Sequence, residues 1–423
     1  MQKTTLFDPQ RLLKTLCFIV LVFIPVNMLV SPVADFFTIE QRPANWTVTL
    51  SAFVFLLASM PLVAIALFFL KSRGEKLFLL GMAVFFIYAF SITLYLAGDL
   101  FYPMFGLTSV LGSTLVGVLF YVSIRDGIIS PKLVFHVLAG ASVLVVMPLL
   151  LVQIDPERYA QVAEKITTAT GILYGYENPR AVGWASTSCL SLLAAYLSTQ
   201  SKEIRINPIF LICAIICSTT LFWSGSRGGV VAFVVSLSIV FGLSQTKNYK
   251  GLALVLLCIV VGGAVSYFLH LPNHAYGMFS RIGQNLGQEG IDAISSGRIE
   301  LWQTTLAHIL ERPFTGYGYL PHKSLEGFTH GSAHNIVLDS WLWFGFFIGT
   351  IVALFGIMFW VMAFLFFRKP NDPYVSALFC VITTLIVYCM FSGPYARTFP
   401  LLLFAISSGV IFGIRSAQAD KQI

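Results

Sequence analysis

Residues 208–243 read PIFLICAIICSTTLFW, SGSRGG, VVAFVVSLSIVFGL: two unbroken apolar runs joined by a short turn that carries a single arginine, Arg227, among glycines and serines. Neither run alternates with period two, and neither has a polar face, so both read as helices that are apolar all round. Each is close to the length that crosses a hydrocarbon core of about 30 Å at about 1.5 Å per residue. A chain in lipid must satisfy its backbone internally, which leaves helices as the spanning form for such runs.

The same pattern extends outward through the whole chain. Of its 423 residues 57% are hydrophobic and 11% charged, and the mean hydropathy is +0.83, values that exclude an ordinary soluble domain. The fold class is an all-α polytopic membrane protein. Twelve spans are expected, at about 12–30, 48–70, 77–97, 107–123, 133–152, 181–199, 208–223, 228–243, 251–270, 345–367, 375–391 and 398–414. They form one integral membrane domain over 1–423, with a long loop at 271–335 between spans nine and ten. Lys3, Arg11 and Lys14 precede the first span without a small-residue cleavage site, so that span is expected to stay as an uncleaved helix. The seven cysteines lie inside apolar runs away from any C-x-x-C spacing and read as small buried hydrophobes.

Charge sets the orientation. With the N-terminus inside, 16 of the 26 Lys and Arg fall on short cytoplasmic pieces such as KSRGEK (71–76) and SQTKNYK (244–250), while 13 of the 19 acids fall outside. That is the positive-inside asymmetry, and it predicts cytoplasmic N- and C-termini. The long loops at 153–180 and 271–335 then face out. Within the second, SSGRIELWQTTLAHILERP sets Ile299, Trp302, Leu306 and Ile309 at helical spacing, predicting an amphipathic helix against the membrane face.

The outer cations are the exceptions that point to chemistry. Eight of the ten are arginines, among them Arg180, Arg227, Arg298 and Arg397, whereas the cytoplasmic set is mostly lysine. Arginine presents a planar, permanently charged fork that matches phosphate oxygens. Arg227 and Arg397 stand in turns of a few residues between spans, where charge reaching the bilayer centre costs about 2.5–3.5 kcal/mol. An anion held at the outer surface would offset that cost. The glycines of SGSRGG permit a tight hairpin and allow backbone N–H groups to converge as an anion-binding nest. Headgroup snorkelling or pairing with Asp35, Asp99 or Glu177 is the plainer reading of any one outer arginine.

THGSAHNIVLDSW places His330 and His334 four residues apart, but the intervening glycine and serine argue for a loop, and no obvious cysteine or carboxylate completes a metal set. No metal and no cofactor is expected. An imidazole with an ordinary pKa near about 6.5 suits proton abstraction from a hydroxyl, so His334 is the candidate general base and Asn335 the group that orients it or a substrate.

In this order, on one membrane face, SGSRGG, SGRIELW, ERPFTGYGYL, AHN and LDSWLWFGFFIG resemble the O-antigen ligase and polymerase superfamily of bacterial envelope glycosyltransferases over roughly residues 208–365. The resemblance implies a GT-C-like membrane fold in the bacterial inner membrane, with inverting, metal-independent transfer from undecaprenyl pyrophosphate at the periplasmic face. By motif, Arg227 and Arg298 would bind the pyrophosphate, His334 would activate the acceptor hydroxyl, and Gly345 would fall at a helix-packing position. Asp339 matches an acidic position, and ENPRAVGWAS adds Asn178 and Arg180; Arg397, His330 and Asn335 complete the candidate substrate-binding set. The expected partners are an undecaprenyl-pyrophosphate-linked glycan donor, a lipid A-core acceptor and membrane lipids, with no nucleic acid.

Three functions follow in order: an O-antigen ligase, an O-antigen or capsule polymerase that extends a carrier-linked glycan, and a protein O-oligosaccharyltransferase, usually a longer chain. A twelve-span secondary transporter is a different class, disfavoured because no internal repeat and no midplane charges are visible.

Overall fold

A computed structural model describes residues 8–38, 68–96, 100–165, 179–201, 203, 205–271, 277–280, 298–321, 325, 328, 332–367, 372–393 and 398–420. The regular structure there is helical throughout. Eight helices are long and apolar enough to cross a membrane, and Pro208–Trp223, Arg227–Leu243 and Pro373–Cys389 are shorter apolar helices. These eleven match eleven of the expected spans; the span at 48–70 lies outside the described residues except for 68–70.

The order is α1 (Pro9–Thr38), α2 (Arg73–Leu96), α3 (Phe101–Arg125), α4 (Pro131–Ala141), a 3₁₀ segment (Ser142–Val146), α5 (Met147–Ile154) and α6 (Pro156–Lys165). Then come α7 (Pro179–Thr199), α8 (Pro208–Trp223), α9 (Arg227–Leu243), α10 (Tyr249–Tyr267), α11 (Arg298–Glu311), α12 (Ile336–Phe367), α13 (Pro373–Cys389) and α14 (Thr398–Asp420). One crossing is divided between α4 and α5 because Pro148 lacks an N–H and crowds the carbonyl four residues earlier, which tightens 142–146 into a 3₁₀ turn.

At the centre stands α7, buried along its length and packed against α8, α9, α10 and α13. Its composition explains the position. Small residues (Ala181, Gly183, Ala185, Ala194, Ala195) let neighbours approach, and Ser186, Thr187 and Ser188 return their hydroxyls to the carbonyls four residues back at 2.8, 2.6 and 2.9 Å, so no polar atom faces hydrocarbon unpaired. A second close seam joins α3 to α14, where a Cβ on Gly117 would stand 3.0 Å from the Ala405 carbonyl.

Helix direction alternates and sorts the polar groups into two ends. At one end, Asn248 N–H donates to Ser198 O at 2.8 Å, and Arg125, buried, pairs with both Glu75 and Asp126. Arg125 also donates to the Phe69 carbonyl at 2.8 Å, and Tyr121 donates to Glu75 at 2.6 Å. At the other end, Trp184 Nε1 donates to Ser392 Oγ at 3.0 Å, and the starts of α7, α9, α11 and α12 gather.

Candidate functional site

The SGSRGG turn is short because Gly225 adopts φ +67°, a left-handed conformation that glycine takes without steric penalty. Arg227 N–H closes on Gly225 O at 3.1 Å and Gly229 N–H on Ser226 O at 3.1 Å. Those two donors are spent within the turn. The glycines also serve sterically. A Cβ on Gly183 would lie 2.5 Å from that of Ser226, and one on Gly229 would lie 3.0 Å from the Tyr388 hydroxyl. Bare backbone therefore brings α7 and α13 onto the start of α9. Ser226 leaves α9 without a side-chain cap because its hydroxyl pairs instead with Tyr388.

This closure collects cations. Arg180, on the first turn of α7, feels the positive charge of Arg227, and Arg298, at the start of α11, feels those of both Arg180 and Arg227. Burial strips water from the Arg298 guanidinium and the two neighbouring cations crowd it, so its pKa sits below the ordinary arginine value. Among the described residues neither Arg180 nor Arg298 forms an ion pair with a carboxylate. Tyr388, fully buried, interacts with Arg180 and Arg298 through its hydroxyl. Like charges gathered in partly desolvated space favour an anion between them.

His334 stands in the loop that enters α12, with φ +57°, a sterically disfavoured value for a residue with a Cβ. The surroundings hold it there. Asp339, fully buried, accepts from Ala333 N–H at 2.9 Å, and Trp302 Nε1 donates to Ala333 O at 2.9 Å. Ser332 Oγ lies 3.1 Å from His334 Nδ1 and accepts from the His334 N–H at 3.3 Å, while Nε2 is buried. Asn335 caps α12, its Oδ1 accepting from Val337 and Leu338 N–H at 3.0 and 3.3 Å.

Three short links tie this loop to the arginines. Trp302 lies one turn beyond Arg298 on α11. Trp184 lies one turn beyond Arg180 on α7 and holds Ser392. Gly393, next in the chain, abuts the loop: a Cβ there would be 3.0 Å from Ser332 Oγ and 3.9 Å from His334 Nδ1. The structure thus assembles Arg180, Arg227 and Arg298 and ties His334 and Asn335 to them. It puts Asp339 beneath the loop rather than in the open site. Asn178, His330 and Arg397 lie outside the described residues.

On α11, Leu301, Thr305 and Ile309 are buried against the protein, while Ile299 and Leu306 of the expected apolar stripe are 36% and 42% exposed. One expectation changes. Gly345 is not a packing glycine inside a helix: with φ +74° and ψ 173° it breaks α12. The carbonyls freed at the break are taken up by the T-G-Y-G segment, Tyr317 N–H donating to Leu342 O and Gly318 N–H to Trp343 O, both at 2.9 Å. A Cβ at Gly345 would strike the Phe314 carbonyl. Phe346–Phe367 then remains as a crossing of about 33 Å at 1.5 Å per residue. The sequence gives no sign of roles for Tyr388, Ser226 and Trp184; a tyrosine inside an apolar run carries no mark that its hydroxyl meets the turn at Ser226.

Residues 212–353 match the family model described as O-Antigen ligase. The chain is 30% identical over 138 residues to the ComP-specific O-oligosaccharyltransferase of Acinetobacter baylyi, and 25% identical over 145 residues to the General O-oligosaccharyltransferase of the same bacterium. These matches cover 30% and 31% of this chain and 24% of each relative, about a quarter of their length. Arg227, Arg298, the His334 loop and the Gly345 break all lie within the segment that matches this family model.

Proposed function

We propose that the protein is a glycosyltransferase that moves a glycan from undecaprenyl pyrophosphate to a hydroxyl acceptor at the periplasmic face of the bacterial inner membrane. The preferred form of the reaction is ligation of O-antigen polysaccharide to lipid A-core. The observation that carries the reading is the gathering of three guanidiniums from α7, α9 and α11 beside the His334 loop.

In the reaction, the acceptor oxygen attacks the anomeric carbon as the bond from that carbon to the phosphate oxygen breaks, inverting the centre. The acceptor proton passes to His334 Nε2, in the tautomer whose Nδ1–H donates to Ser332. The departing pyrophosphate gains negative charge where Arg180, Arg227 and Arg298 already stand, so little reorganisation is needed at the transition state. Their combined charge fills the role that a divalent cation plays elsewhere, and the transfer is proposed to be metal-independent. Tyr388 adds a hydroxyl donor to the same anion.

The printed names of the two Acinetobacter baylyi relatives favour a second reading, transfer of an oligosaccharide to an O-linked acceptor on a protein. Purified protein given an undecaprenyl-pyrophosphate glycan with rough lipopolysaccharide, in chelator, separates the possibilities. Glycosylated lipid A-core supports the ligase. Elongated carrier-linked glycan supports a polymerase, modification of a hydroxyl-bearing protein acceptor supports the second reading, and an unchanged donor in every arm contradicts transfer.

A further inference from the structure

We propose that the end of the bundle opposite the arginines holds a binding site for an anionic phospholipid, between the starts of α8 and α10. A cleft of about 600 Å³ opens there, walled by Arg205, Glu203, Tyr249 and Lys250 at its mouth and by Leu211 and Leu254 deeper in. Two helices begin at this cleft running in the same direction, each capped by an asparagine: Asn207 accepts from Ile209 N–H at 3.0 Å and Asn248 from Gly251 N–H at 2.9 Å. Their N-terminal dipole ends point positive charge at the opening. The N–H groups of Tyr249 and Lys250 donate to no partner among the described residues, and Arg205 and Lys250 form no ion pair there.

The helices explain the shape. Deeper in, they are locked together: Ser218 Oγ donates to Cys258 O at 3.0 Å, and Gly262 lies against Ser218. Toward the 205–208 and 248–250 end the described residues leave a gap, with a cationic mouth above an apolar floor. Past the mouth the same helices expose Ile209, Ile212, Leu256 and Leu257 at 53–59%, a surface suited to acyl chains. A charged headgroup with hydrocarbon attached fits all three features; a free phosphate ion uses only the first. Among the described residues Glu203 is the single carboxylate lining the mouth, against the cations Arg205 and Lys250, so their summed sign is positive.

Full-length protein in neutral detergent is titrated with phosphatidylglycerol, phosphatidylcholine or inorganic phosphate, and bound lipid is read by native mass spectrometry. Phosphatidylglycerol is expected to bind in preference to phosphatidylcholine. Arg205→Gln and Lys250→Gln should each weaken it about fivefold, from roughly 1 kcal/mol per basic residue near anionic lipid, while Arg312→Gln, exposed at the end of α11, leaves it unchanged. Both cleft variants alter exposed side chains, and thermal melting verifies that they fold. Equal binding of the two lipids, full binding by the double variant, or protection by phosphate alone without lipid retention overturns the proposal.

Discussion

The two ends of this bundle bury arginine in opposite ways. At one end Arg125, its side chain 3% exposed, pairs with Glu75 and Asp126, and Lys71 reaches Asp126 at 3.2 Å, so cations and anions balance. At the other, Arg180, Arg227 and Arg298 lie within reach of one another's charge, and the Tyr388 hydroxyl feels those of Arg180 and Arg298. A buried charge is tolerated when it is paired, and removing one partner of a buried pair typically costs about 3–5 kcal/mol. The Arg125 cluster obeys that rule within the chain and ties α2 to α3. The arginine trio sets like charges side by side in half-buried space, which is the physical sense in which one end reads as structural and the other as a proposed anion site.

Substitutions sharpen this contrast, beginning with the largest effect. Arg227→Ala and His334→Ala should each lower turnover by about 10² to 10⁴, the range for losing one charge-stabilising group or a general base, while detergent melting temperatures stay near wild type. Assayed turnover and melting on the same preparations decide it; loss of fold in both variants would erase the distinction between the ends. Arg125→Ala should do the reverse, removing about 3–5 kcal/mol of stability while the folded fraction keeps its affinity for donor. Chemical unfolding beside donor binding is the check.

Tyr388→Phe removes a hydroxyl that pairs with Ser226 at the start of α9 and feels the charges of Arg180 and Arg298. The expected loss is at most about tenfold, the order of one net hydrogen bond at about 0.5–1.5 kcal/mol, seen in KM for the donor more than for the acceptor. The smallest effect is on acid stability. Burial alone would raise the Asp126 pKa, but hydrogen bonds from Arg125 and Lys71 outweigh it and hold it below the usual carboxylate range. A carboxylate depressed in the folded state stabilises the fold above its unfolded pKa and loses that contribution as pH falls through the folded one. Melting temperature should therefore drop at acidic pH, and less steeply in Asp126→Asn.

Much of this arrangement was legible in the residues, for identifiable reasons. Apolar run length marked the crossings, because lipid permits few alternatives. Arg227, Arg298 and His334 stood out because charged or imidazole groups beside spans are rare. Tyr388 did not, since its role depends on α13 meeting α9 across 162 residues of sequence. Gly345 looked like a packing residue because helix hydropathy runs straight through it; the break rests on hydrogen bonds to the segment at 313–318, which no period in the sequence reports.

The central claim is that the three guanidiniums form one diphosphate grip. Isothermal titration of a short-chain prenyl pyrophosphate and its monophosphate into wild type and into Arg180→Gln, Arg227→Gln and Arg298→Gln tests it. The account predicts a clear preference for the pyrophosphate, at least tenfold weaker binding in each variant, and double variants that lose less than the sum of the singles because the groups act together. Unchanged pyrophosphate affinity in the three single variants would contradict it.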